Sequence, residues 1–172
     1  MQFKVCGITS IEQATALQAM GVHYIGFIFY PSSKRYVLEK LSLNDLANFK
    51  PVGVKKVGVF VNEPLDQLLQ IVQSAGLDIV QLHGDETPEY CAALRQKVET
   101  IKVFRVGAAV PNFEAYEAVV DYFLFDTDSA LYGGTGLVPS FTVGDILYAN
   151  TTSTWGRLTA DSNSGYVLVS AG

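Results

Sequence analysis

Short apolar runs recur along the chain, separated by longer stretches in which apolar residues return every three or four positions. The runs FKVCG (3–7), YIGFIF (24–29), KVGVFV (56–61), DIVQLHG (78–84), TIKVFRV (100–106) and DYFLFD (121–126) read as strands. Between them, SIEQATALQAMG opens at Ser10, a good helix N-cap, and stops at Gly21. EPLDQLLQIVQSAG carries Pro64 in its first turn and ends at Gly76, and TPEYCAALRQ opens with Thr87 as cap and Pro88 after it. The starts of four successive strands, Val57, Ile79, Ile101 and Tyr122, are each about one βα unit apart. The strands are nearly continuous apolar runs rather than alternating ones, so both of their faces are buried. Such a pattern predicts a parallel α/β sheet with helical crossovers, either an open doubly wound sheet or a β/α barrel.

In both architectures the chemistry gathers at the C-terminal ends of the strands. The first strand delivers Cys6 and Gly7 there, and the second leads into FYPSSKRYV with Lys34 and Arg35. The third delivers Asn62. The fourth brings Gln81 and His83, followed by Asp85 and Glu86. The fifth brings Arg105, and the sixth brings Asp126 ahead of a Gly-Gly-Thr-Gly loop. Several of these have plain structural roles open to them. A thiol at a strand end packs as a small apolar group, loop cations are solvated, and a histidine satisfies a backbone carbonyl. Asp126 is harder to place that way, because a carboxylate directly after YFLF is costly to desolvate and needs partners or a task. A thiol and a carboxylic acid suit proton shuttling between carbon and oxygen, and an arginine suits a planar carboxylate. The set therefore points to cofactor-free isomerisation of a small acidic metabolite.

Composition narrows the partners. With 172 residues, 49% hydrophobic and 17% charged, the chain is long and apolar enough for one ordinary core. A net charge of −5 argues against nucleic acid or an anionic membrane as partner. No apolar run has the length of a membrane span, and MQFKVCGITS does not read as a signal peptide, so a cytoplasmic location is expected. Two cysteines, Cys6 and Cys91, make neither a disulfide framework nor a metal cluster. GGTG is not a dinucleotide-binding fingerprint.

The segments KVCGIT, GFIFYPSSKRYV, VKKVGVFVN, VQLHGDETPEYC, IKVFRV and FLFDTDSALYGGTG, collinear from about residue 2 to residue 136, together resemble phosphoribosylanthranilate isomerase of tryptophan biosynthesis. The resemblance favours the barrel over the open sheet and implies a (β/α)8 barrel represented by about six βα units. It implies an Amadori rearrangement of N-(5-phosphoribosyl)anthranilate to 1-(2-carboxyphenylamino)-1-deoxyribulose 5-phosphate, with no metal or organic cofactor. It places Asp126 as the acid that opens the furanose and Cys6 as the base that removes the C2′ proton. Arg35 faces the anthranilate carboxylate, and Gln81, His83, Gly134, Thr135 and Gly136 complete the substrate contacts.

After Gly136 the family pattern stops. Residues 137–172 are rich in Ser, Thr, Asn and Gly and read as a separate β-prone tail with two strand-like runs, 145–149 and 165–170. Two behaviours are expected of these runs: pairing with each other as a hairpin, and covering part of the barrel opening. Six strands do not close an eight-stranded barrel, so the edges of strands one and six should be open and favour self-association. Phosphate in such barrels is bound by loops after strands seven and eight, so turnover should fall by orders of magnitude without them. The alternative function is a non-catalytic truncated or fused barrel fragment whose tail mediates assembly or binding.

Overall fold

In a computed structural model, residues 2–106 and 112–127 are described, together with the backbones of three strands at 146–149, 155–158 and 166–170. The six expected strands are β1 (Gln2–Cys6), β2 (Tyr24–Ile28), β3 (Lys55–Phe60), β4 (Ile79–Leu82), β5 (Glu99–Val106) and β6 (Tyr122–Thr127). Each lies within two residues of its expected bounds. They are hydrogen-bonded in chain order and all parallel.

Among the described residues four α-helices accompany them: α1 (Ile11–Ala19), α2 (Leu43–Asn48), α3 (Leu65–Ala75) and α4 (Pro88–Arg95). The capping chemistry read from the sequence explains three of their starts. The Ser10 hydroxyl accepts from Gln13 N–H and the Thr87 hydroxyl from Tyr90 N–H, while Pro64 precedes α3. α3 stops where Gly76 turns left-handed, at φ +62°. The short α2 was not expected; Ser42 and Asp45 form a reciprocal capping box at its start. Between β5 and β6 the described crossover residues contain a 3-10 turn, Glu114–Tyr116.

Burial separates the two faces of the sheet. Ile25, Phe27, Phe60, Val80 and Leu82 pack against the helices in one large core that includes Leu46, Leu68 and Leu94. Val57, Ile79 and Ile101 form a second cluster with Tyr24 and Leu124 on the opposite face. This second face is the interior of a curled half-barrel, so apolar residues are needed on both faces of each strand.

The remaining strands are β7 (Ile146–Ala149), β8 (Trp155–Leu158) and β9 (Tyr166–Ser170). The expected hairpin between the two tail runs does not form. β7 pairs antiparallel with β8, and β9 joins β1 in parallel, from Gln2 opposite Tyr166 to Cys6 opposite Ser170. The edge of β1 is therefore paired rather than open. An unpaired row of β1 backbone groups offers a strand more hydrogen bonds than a polar tail offers itself.

Candidate active site

Cys6 ends β1, and the pleat of that strand decides where its thiol goes. Val5 packs into the helix-side core, so Gln2, Lys4 and Cys6 share the inner face. Gly26 is the register partner of Cys6 on β2. A Cβ on Gly26 would lie 2.6 Å from Cys6 Sγ, so only glycine leaves room for the thiol there. Gly7 follows at φ +84°, and both its N–H and that of Ile8 donate to the Gly26 carbonyl. This turn bares the end of β1, and Arg35 lies across it. Arg35 Nη1 is 3.5 Å from the Cys6 carbonyl oxygen and would be 2.7 Å from a Cβ on Gly7. The guanidinium, from the loop after β2, thus reaches the backbone at the end of the strand that carries the thiol.

On the other side of the half-barrel, Asp126 shares the inner face with Leu124 of the inner cluster, whereas Phe123 and Phe125 pack, mostly edge to face, against Phe104 and Phe113 on the outer face. His83 Nε2 lies 3.4 Å from Asp126 Oδ2, with the Asp126 side chain 50% exposed and that of His83 29% exposed. His83 is held from its backbone: its N–H donates to Phe60 O, and its carbonyl accepts from Arg105 Nη2 at 3.3 Å. Gln81 is buried on the inner face, and its Oε1 has no hydrogen-bond partner among the described residues. Gly134, Thr135 and Gly136 lie outside the described residues.

Three other strand-end residues behave differently from a substrate contact. Lys34 is exposed, as is Asp85. Glu86 is buried and turned away from the opening into an ion pair with Lys102, at 2.7 Å. Its carboxylate also accepts from Asn62 N–H and Gly84 N–H, while Lys102 Nζ donates to Gly84 O. Asn62, at φ +52°, returns a bond by accepting Asp85 N–H on its Oδ1. These bonds lock the loops after β3 and β4 together and fix the backbone next to His83. Lys102 was missed from the sequence, as was Lys4. Each is a charge set inside a strand of a sheet buried on both faces, and that contradiction is the signal that marks them. Groups of three or more His, Cys, Asp or Glu suited to a metal ion do not occur among the described residues. No helix of the described residues is long and apolar enough to cross a membrane.

Residues 3–142 match the family model of N-(5'-phosphoribosyl)anthranilate (PRA) isomerase. An N-(5'-phosphoribosyl)anthranilate isomerase of Phocaeicola vulgatus is 40% identical over 139 residues, which cover 79% of this chain and 65% of the relative. The chain thus spans about two thirds of that relative's length. A phosphoribosyl anthranilate isomerase structure from Thermus thermophilus superposes with a TM-score of 0.65 at 31% identity, covering 74% of this chain and 62% of that one. A further phosphoribosyl anthranilate isomerase, solved in complex with reduced 1-(o-carboxyphenylamino)-1-deoxyribulose 5-phosphate, superposes with a TM-score of 0.60 at 34% identity, covering 76% of this chain and 67% of that one. By the extent of these matches, this chain belongs to the N-(5'-phosphoribosyl)anthranilate isomerase family.

Proposed function

We propose that the chain catalyses the isomerisation of N-(5-phosphoribosyl)anthranilate to 1-(2-carboxyphenylamino)-1-deoxyribulose 5-phosphate, in the cytoplasm and within tryptophan biosynthesis. The observation that carries this reading is the presence of Cys6 and Asp126 on one inner face, at the C-terminal ends of parallel strands, with Arg35 laid beside Cys6. Asp126 gives a proton to the furanose oxygen, and the ring opens to a Schiff base. The Cys6 thiolate then takes the C2′ proton, and the resulting enolamine becomes the ketone. Both steps are proton transfers, which positioned side chains accelerate by about 10²–10⁴-fold.

His83, 3.4 Å from the Asp126 carboxyl, orients the acid and contacts the substrate beside it. Half of the Asp126 side chain is exposed, so water can restore its proton after each turnover. The Arg35 guanidinium pairs with the anthranilate carboxylate, and Gln81 turns its unsatisfied Oε1 toward a substrate hydroxyl. Gly134, Thr135 and Gly136 belong to the same proposed contacts.

The test is consumption of fresh substrate by the purified chain, followed by loss of its fluorescence, with Cys6→Ala and Asp126→Asn in parallel. Turnover above both variants supports the reading. Equal rates in folded samples would sink it and favour the non-catalytic reading. Self-association through the β6 edge belongs to the same proposal.

A further inference from the structure

His83 stands one residue past the end of β4, and its ring reaches Asp126 only if its backbone is held in place. Three ties hold it. The His83 N–H donates to Phe60 O of β3 at 2.8 Å. The next residue, Gly84, is clamped by Glu86 and Lys102, both buried. The third tie is Arg105 Nη2, which donates to the His83 carbonyl at 3.3 Å.

This third tie comes from the side of the site. Ile101 lies in the inner cluster, and Val103 and Arg105 follow it at the two-residue period of β5, so Arg105 is on the inner face. β5 lies between β4 and β6, and the register partner of Arg105 on β6 is Asp126. Arg105 is exposed, and an exposed arginine gains little from one surface contact and is able to extend into solvent. Instead its guanidinium turns back over the sheet end to cap a carbonyl of the neighbouring segment. The imidazole on that same residue has its Nε2 3.4 Å from Asp126 Oδ2. We infer that Arg105 is a positioning residue for the His83–Asp126 pair: its bond to the His83 carbonyl holds the imidazole against the carboxyl of the acid. The inference rests on the proposed role of Asp126 and adds the group that keeps the partner of that acid in place. It is tested without substrate, so its failure and a failure of turnover are read separately.

The experiment is NMR of the imidazole nitrogens of the folded chain at one fixed neutral pH. Of the two histidines, His23 accepts the Phe3 N–H on its Nδ1 and serves as the internal reference. Asp126→Asn should displace the His83 Nε2 signal, because the ring loses the carboxylate beside it. The same substitution in an Arg105→Met background should displace it by less than about one third as much, since coupling within one hydrogen-bonded set is lost with any member. A change of charge or of overall stability alone acts equally on both members of each pair and cancels in this comparison. An equal displacement in both backgrounds would overturn the inference. So would an Asp126→Asn substitution that leaves the His83 signal unmoved in the parent, a reading that needs no Arg105 variant to fold.

Discussion

Single side chains in this protein do work that depends on which face of a strand they occupy. Arg35 is set against the Cys6–Gly7 turn, and the proposed carboxylate contact makes a direct prediction. Arg35→Met should raise KM about 10–100-fold with a smaller effect on kcat, as steady-state kinetics would register, because a charge-assisted hydrogen bond is lost in ground and transition states alike. Cys91 lies away from the strand ends, inside α4. It is fully buried in the helix-side core, and desolvation pushes its thiol up to about 11 from an ordinary 9.0. The unfolded chain then ionises first as pH rises, so the stability contribution is complete below pH 9.0 and is lost as pH climbs to about 11. Urea denaturation across that window should lose on the order of 2 kcal/mol in the parent, and Cys91→Ala should flatten this slope. Burial also raises Tyr90, so a smaller alkaline loss should survive the substitution. Cys6, His83 and Asp126 could be placed at strand ends from the sequence because strand ends are visible as the last residues of apolar runs, and Arg35 in the loop that follows β2. Lys102 was hidden because nothing local says whether a charge inside such a run meets a partner in the loop of a neighbouring strand.

Elements were legible where caps and periodicity agreed. Ser10, Thr87 and Gly76 announce their helices, and three of the four were read with nearly the correct ends. α2 escaped because six residues hold too few turns for a periodicity, although its capping box was in the text. Ser42→Ala should cost about 1 kcal/mol in chemical denaturation, since the Asp45 N–H loses its side-chain acceptor and the Ser42 hydroxyl no longer donates to the Asp45 carboxylate. The loops after β3 and β4 depend more heavily on one buried pair. Lys102→Ala leaves the Glu86 carboxylate, 1% exposed, without its cation and should cost about 3–5 kcal/mol. At temperatures where the variant stays folded, NMR should report a shifted His83 ring, because Gly84 loses its tie to Lys102.

At the scale of the molecule, parallel order and burial on both faces followed from six apolar runs at regular spacing, whereas strand pairing beyond residue 127 did not. The tail runs could be recognised as strands, but pairing partners are a long-range choice, and β9 chose the edge of β1 over β7. Removing residues 159–172 should reopen that edge and produce concentration-dependent association in size-exclusion chromatography with light scattering, where the full chain associates less. The central claim is that Cys6 and Asp126 serve one reaction in one site. The most direct measurement is kcat/KM for the parent, Cys6→Ala, Asp126→Asn and the double variant, all shown to be folded. If the two groups act on the same substrate in sequence, each single variant loses about 10²–10⁴-fold and the double variant is hardly slower than the slower single. Independent multiplication of the two losses, or a parent no faster than the double variant, would contradict the account.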